Sequence, residues 1–366
     1  MAIQVKNQLT DTISYLNRTS VKESNGKELI SYEPITKQLQ MLEIEITLRC
    51  PLRCIHCSVN GGESKVDIPL EKFHEIVDDC EQIGIESLDI IGGEPLAYHH
   101  IYEALRYAIQ KIPKVYLNTA GYFFNEKIIQ KLQETGLKDI FISLDGATQE
   151  KHEKIRGPGT FYKTLDAIKK MSEAGFYLIV SFVANAENYT DIPAMLDLCE
   201  RYGAKKLFIL SLIPEGRGKN IKNLVLKEHM IKTIFESISK YKGPVEIELD
   251  CSLKTDFEDF PDYVKVCPAG TTFCTIKVNG DVIPCGFLPS KFSIGNIYQK
   301  RFYDIWNDDR KFYFWRKGIS GCQTCSIYKE CRGGCQALKF GKVCEGDTQK
   351  RINLLKEIKN ITRTLI

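Results

Sequence analysis

The chain of 366 residues is long enough for two domains, or for one large domain with an appendage. Lys and Arg number 50 against 47 Asp and Glu, and the resulting net charge of +3 argues against a dedicated nucleic-acid binder or a polybasic membrane protein. Hydrophobic residues at 43% and charged residues at 27% exclude disordered, collagen-like and coiled-coil compositions.

Residues 1–40 are polar and weakly patterned, with one strand-like stretch at 29–32, and read as a lead-in segment. The first ten residues lack the basic region and apolar run of a secretory signal, and the longest strongly apolar stretch, 176–184, is about half the ~20 residues of a membrane-spanning helix. A cytoplasmic protein is expected, with no membrane and no nucleic acid among its partners. Leu42, Ile44, Ile46 and Leu48 then alternate with Glu43, Glu45, Thr47 and Arg49, the period of a strand, which runs straight into Cys50. Pro69 opens a helix in which Leu70, Phe73, Ile76, Val77, Cys80 and Ile83 recur at helical spacing. Further strands are predicted at 88–91, 115–118, 140–144, 177–183, 207–212 and 245–249, with helices at 101–112, 126–133, 161–171, 192–202 and 226–238.

This alternation predicts an α/β fold of parallel strands joined by right-handed crossovers, closed or partly closed into a barrel. Chemistry in such sheets gathers at the C-terminal strand ends, where the loops carrying Cys50, Gly92, Asn118, Ser143 and Pro214 emerge. Beyond residue 253 the elements shorten and cysteine becomes dense. Asn279-Gly280 within 276–283 predicts a β-hairpin. The expected organisation is a lead-in over 1–40, a barrel over 41–252 and a small cysteine-rich domain over 253–366. That domain ends in an amphipathic helix at 352–366, which would act as a closing brace.

Fourteen cysteines in a chain without an export signal point to metal or cluster ligation rather than to disulfides. Cys50, Cys54 and Cys57, in CxxxCxxC spacing directly after a strand, can aim three thiolates at one centre. A four-iron cube would keep one iron open there, whereas a Cys3His zinc site with His56 or a remote histidine would be closed. At the next strand end, Gly92-Gly93-Glu94-Pro95 lets the backbone approach a ligand closely and offers a carboxylate, although such a segment alone also suits an ordinary strand-to-helix turn.

In this order the two motifs resemble the radical S-adenosylmethionine (SAM) superfamily, over about residues 41–250, and the resemblance implies a partial (β/α)6-type barrel. The resemblance implies that Cys50, Cys54 and Cys57 ligate a [4Fe-4S] cluster whose open iron chelates the methionine moiety of S-adenosyl-L-methionine. It further implies that Gly92, Gly93 and Glu94 line the methionine amino group. Ser143 and Arg156, in and after Ser143-Leu-Asp145-Gly146, are the candidates for gripping the carboxylate, a surface position being the alternative for Arg156. Residues 212–218 resemble the family's late-strand loop and are expected at the substrate cavity. His56 stands where many relatives have an aromatic residue beside the adenine.

The later cysteines are similar to the SPASM extension, which carries auxiliary [4Fe-4S] clusters in peptide-modifying radical enzymes. The resemblance assigns Cys267, Cys274, Cys285 and Cys335 to a first auxiliary cluster and Cys322, Cys325, Cys331 and Cys344 to a second, three clusters in all, with zinc ribbons as the alternative. Cys274 is additional to the seven-cysteine pattern; without it the first auxiliary cluster would have an open iron. Cys80 and Cys199 lie on apolar helix faces and are expected in the core, and Cys251, after a strand end, is expected to be buried. The aromatic group at 302–315 is expected to pack the cysteine-rich domain onto the barrel rather than to dock a peptide.

The resemblance implies an oxygen-sensitive enzyme that reductively cleaves S-adenosylmethionine and takes hydrogen from a carbon of a peptide or protein, leaving it oxidised or cross-linked. It also implies a flavodoxin- or ferredoxin-type reductant, and the short lead-in suggests a separate leader-recognition protein or a leaderless substrate. Sulfatase maturation is an alternative, but Gly286 stands where relatives of that kind carry an acidic base. Radical oxidation or decarboxylation of a small molecule or tetrapyrrole, a multicluster electron carrier and a zinc-stabilised interaction protein complete the alternatives.

Overall fold

Period-two segments that end in glycine-, cysteine- or serine-bearing loops become parallel strands. The computed structural model describes residues 18–22, 28–32, 38–253, 267–308, 311–312, 315 and 335–339. Cys322, Cys325, Cys331, Cys344 and the expected helix at 352–366 lie outside the described residues. β1 (Arg18–Lys22) and β2 (Glu28–Tyr32) form an antiparallel pair, of which only the second was expected from the sequence. β3 (Met41–Glu45), β4 (Ser87–Ile91), β5 (Lys114–Thr119), β6 (Asp139–Ser143), β7 (Tyr177–Ala184), β8 (Lys206–Ser211) and β9 (Glu246–Leu249) lie side by side in chain order, all parallel.

The connecting helices are α1 (Leu70–Ile83), α2 (Ile101–Lys111), α3 (Glu126–Thr135), α4 (Gln149–Arg156), α5 (Phe161–Glu173), α6 (Ile192–Tyr202) and α7 (Glu228–Lys240). Strands taken in sequence and joined by right-handed crossovers put their helices on one face. Leu42, Ile44, Leu88, Ile90, Leu117, Ile140 and Ile142 are buried on that face, and Cys80 and Cys199 join them in the core as expected. α4 was not foreseen, because its sequence QEKHEKIR carries one aliphatic residue. It starts at Thr148, whose hydroxyl accepts from the Lys151 amide at 3.4 Å, and it buries His152, Ile155 and Arg156.

The polar residues of β3 face the other way, and they are buried too. Glu45 is 3% exposed and Thr47 fully enclosed, so this face of the sheet is a polar interior rather than a solvated surface. Burial pushes the Glu43 and Glu45 carboxyls up to about 7. Asp89, on the neighbouring strand, accepts from Asn118 and is raised by burial as well.

The cysteine-rich region is not a separate layer. β10 (Phe273–Ile276) pairs in parallel with β3, Thr275 opposite Glu43, and β11 (Asp281–Ile283) and β12 (Gly295–Asn296) extend the same sheet antiparallel to ten strands. The β10–β11 connection is the expected hairpin at Asn279-Gly280, with Gly280 at φ +87°. α8 (Phe302–Trp306) lies against α1, held by the two-point contact of Arg301 with Asp79 at 2.5 and 3.1 Å. Phe302, Trp306 and Phe312 are buried at this join, with the Trp306 and Phe312 rings 4.7 Å apart, so these aromatics are core. No helix among the described residues is long and apolar enough to cross a membrane.

Candidate active site and cysteine groups

After β3 the chain stays extended and is pinned twice by Asp67, which accepts from Thr47 Oγ1 at 2.5 Å and from Arg49 Nε at 2.8 Å. The loop that follows carries Cys50, Cys54 and Cys57. Its turn is closed by Cys57 N donating to the Cys54 carbonyl, and the Leu52 amide points at Cys50 Sγ at 3.4 Å. The Ile55 amide donates to the Ile155 carbonyl and the Cys54 thiol to that of Arg156, so the end of α4 supports the loop.

Gly92 and Gly93 are the reason the next strand end can lie beside this loop. A Cβ on Gly92 would stand 2.6 Å from the Thr47 carbonyl oxygen, and one on Gly93 2.4 Å from that of Arg49. The Gly93 and Glu94 amides donate to those same two carbonyls. Glu94, fully buried, spends its carboxylate within the protein. Thr119 Oγ1 and the Ala120 amide donate to it at 2.8 Å, and the Leu96 amide at 3.2 Å.

Ser143 ends β6 with its hydroxyl accepting from Ser181 Oγ at 3.2 Å. Arg156 is not on the surface. It is 9% exposed, and its Nε donates to Asp145 at 2.5 Å. Asp145, fully buried, also accepts from the Val183 amide and meets His56 Nε2 at 3.3 Å. Burial lowers the His56 pKa to about 4, so the ring is neutral near pH 7. This ties His56 into the loop's support. Asp145 was quoted within a motif but not singled out, because its role depends on a residue 11 positions away coming back to it.

Residues 212–218 hold the cysteine loop in place. Arg217 donates through Nε to the Cys54 carbonyl at 2.8 Å and through Nη1 to that of Gly61 at 3.0 Å, and its amide donates to Cys57 O. Gly216, at φ +56°, allows this approach, since a Cβ there would lie 2.3 Å from the Ser58 carbonyl oxygen. The other end of the loop touches the cysteine-rich region, where Ile213 packs with Leu288 and Ala337.

A second thiol group lies there. Cys267 opens the turn before β10, Cys285 follows β11, and Cys335 precedes the short helix Gln336–Lys339. Each of Cys285 and Cys335 has Cys267 among its electrostatic neighbours, and Cys285 also has Cys335. Amides point at the sulfurs, that of Phe287 at Cys285 and those of Ala337 and Leu338 at Cys335.

Cys274 does not join them. It is fully buried in β10 opposite Leu42, with Cys80 as its neighbour, on the helix-covered face. The adjacent Thr275 faces the polar interior and donates to Glu43 at 2.9 Å. Cys251 stands nearer to the second thiol group. The residue is partly exposed, and its thiol has that of Cys267 as its leading electrostatic partner.

The residues present fit iron-sulfur clusters. Three thiols share one loop, amides are directed at thiol sulfurs in both groups, and two buried polar atoms at the cysteine loop, His56 Nδ1 and Glu215 Oε2, have no protein partner. Among the described residues, no three His, Cys, Asp or Glu side chains converge as the ligands of a single metal ion do.

A family model described as the radical SAM superfamily matches residues 44–199, and one described as an iron-sulfur cluster-binding domain, SPASM, matches residues 267–336. Mycofactocin maturase MftC of Mycolicibacterium smegmatis is 30% identical over 306 residues, covering 81% of this chain and 78% of the relative. The chain belongs to the radical SAM superfamily. As a radical SAM enzyme with a SPASM region, it works with iron-sulfur clusters and S-adenosylmethionine. An AdoMet-dependent heme synthase of Methanosarcina barkeri is 28% identical over 85% of this chain and 92% of its own length. Streptococcus suis SuiB bound to its precursor peptide SuiA shares the fold, with a TM-score of 0.70 over 84% of this chain and 74% of that one at 21% identity.

Proposed function

We propose that this radical SAM enzyme is a maturase that modifies a ribosomally made peptide or protein at a side-chain carbon. The observation that carries the reading is the pairing of a three-thiol loop with a second thiol group, joined by residues 212–218, in a chain 30% identical to a peptide maturase. Cys50, Cys54 and Cys57 would hold the reactive cluster. Cys267, Cys285 and Cys335 would belong to the first auxiliary cluster, and Cys322, Cys325, Cys331 and Cys344 to the second. Bound cluster and S-adenosylmethionine supply one-electron cleavage to a 5'-deoxyadenosyl radical, the species that takes hydrogen from the substrate.

The chain's own contribution is position. Arg217 and the end of α4 fix the cysteine loop, while Gly92 and Gly93 let the second strand end lie against it. Arg156 brings a guanidinium close enough to Cys54 and Cys50 to interact with their charge, in keeping with a role at the methionine carboxylate. Glu94 has its carboxylate engaged by Thr119 and two amides, so its support for the methionine amino group would come from the strand end it braces. Ser143, at the end of β6, is the second candidate at the carboxylate.

Gly286 has a structural meaning that bears on sulfatase maturation. A Cβ there would lie 2.6 Å from Glu43 Oε1, so the Glu43 carboxyl from β3 occupies the space of a side chain at 286. A second reading, radical chemistry on a tetrapyrrole, is favoured by the Methanosarcina barkeri relative, 92% of whose length is matched. The proposed setting is the cytoplasm, with a flavodoxin- or ferredoxin-type reductant and a separate leader-recognition protein.

Anaerobic reconstitution should give about 12 iron atoms per chain, from three four-iron cubes. Under reducing conditions it should form 5'-deoxyadenosine, and short peptides encoded beside the gene should lose hydrogen mass. Uptake of zinc alone would refute the reading. Turnover of a tetrapyrrole but of no peptide would establish the second.

A further inference from the structure

We propose that the fourth thiolate of the first auxiliary cluster comes from Cys251, at the end of the last parallel strand, and that Cys274 is a core residue. The inference rests on the cluster reading above and assigns a ligand that the cysteine spacing places elsewhere.

A cube fully held by protein needs four thiolates. Cys267, Cys285 and Cys335 form one group, and two further cysteines compete for the fourth place. Cys274 is the nearer in sequence to Cys267, but successive residues of a strand point to opposite faces. Thr275 points into the polar interior, where it meets Glu43, and Glu43 is also an electrostatic neighbour of Cys285. Cys274 therefore points away from that group, into the apolar layer beneath α1, where its register partner is Leu42. Reaching the other thiols would require β10 to slip by one residue, which would bury Thr275 among the helices and detach it from Glu43.

Cys251 is sixteen positions before Cys267, too far for a spacing rule, yet the fold delivers it. β9 ends at Leu249, and the chain turns at once: the Asp250 amide donates to the Ile209 carbonyl, the Ser252 amide to Asp250 Oδ1 and the Leu253 amide to the Asp250 carbonyl, each at 2.9 Å. This fixed turn presents the Cys251 thiol to Cys267, its leading electrostatic partner, and Cys285 is a further electrostatic neighbour. The turn is tied to the preceding strand as well, Ser252 Oγ accepting from the Ser211 amide at 3.2 Å.

Two consequences follow. β9 is one edge of the ten-stranded sheet, whereas β10 and β11 lie toward the other. A cluster bound by Cys251 together with Cys267 and Cys285 would link those two sides covalently through iron. Its irons would also all be saturated by protein, which suits electron transfer and leaves no iron for substrate.

The test uses the full chain with Cys50, Cys54 and Cys57 changed to Ala, so that only auxiliary clusters remain. This parent should hold about 8 iron atoms after anaerobic reconstitution, from two cubes. Adding Cys251→Ala should either lower the count by up to about four irons, the content of one cube, or, where the cube persists, let mild ferricyanide oxidation remove one iron and give the EPR signal of a three-iron cluster. Adding Cys274→Ala should leave count and spectrum unchanged. The reverse pattern would overturn the assignment, and a parent that takes up no iron would instead refute the cluster reading itself. Should Cys251→Ala fail to fold, alkylation of the unmodified holoprotein decides. Cys251 should be protected from iodoacetamide until the iron is chelated, and equal labelling before and after chelation would overturn the proposal.

Discussion

A carboxylate removed from water needs a cation, and Asp145 has Arg156. Burial alone would raise the Asp145 carboxyl, but Arg156 and then His56 outweigh it and hold its pKa below the ordinary value. Asp145→Ala would leave the guanidinium buried and unpaired, so about 3–5 kcal/mol of stability should be lost, measured by anaerobic denaturant unfolding. The residues around this pair were visible in the sequence as a motif, but their division of labour was not. Arg156 and Asp145 are drawn as one candidate and one spacer until α4 brings them together. The cysteines teach the same lesson. Spacing identifies Cys267, Cys285 and Cys335, which the chain brings into one group, but it selects Cys274 over Cys251. The alternation of β10 opposes that choice, because Cys274 shares a face with Ile276, and both are fully buried.

At the level of elements, what brings strand ends together is backbone packed on backbone. Gly93→Ala should be more damaging than an exposed glycine change, because its Cβ would meet two carbonyl oxygens at 2.4 and 2.7 Å and neither can move without shifting the cysteine loop. The expected outcome is a protein with its helical circular dichroism intact and iron uptake reduced by about one cube of the three. Strands and most helices were legible from periodicity, since each buries a stripe or an alternating face. α4 was not, because three of its residues are buried for polar as much as apolar reasons, and a polar reason has no period. The clamp made by Arg217 was hidden for a different cause: its partners are carbonyls, which every residue has.

For the molecule as a whole, the polar interior has an electrostatic cost. A carboxyl whose proton is held more tightly in the folded than in the unfolded chain makes folding take up protons, so stability falls as pH rises through the interval between the two values. For Glu45 that interval runs from 4.5 to about 7, and the loss is complete above it. Glu45→Gln should therefore raise the melting temperature at pH 8, by an amount that shrinks toward pH 6, as followed by scanning calorimetry. The barrel order and the hairpin could be read from the sequence; the joining of the two into one sheet could not, since β10 is too short and too ordinary to announce its partner.

That join also governs how the chain must be made. Thr275 and Glu43, bonded across β10 and β3, are 232 positions apart, so on the ribosome the first parallel strand waits with one row of amides and carbonyls unpaired until that whole stretch of chain has emerged. An open edge of this kind can pair with another chain, and contacts so distant along the sequence form slowly. The cell must therefore keep a nearly finished barrel from its neighbours until its last partner strand arrives.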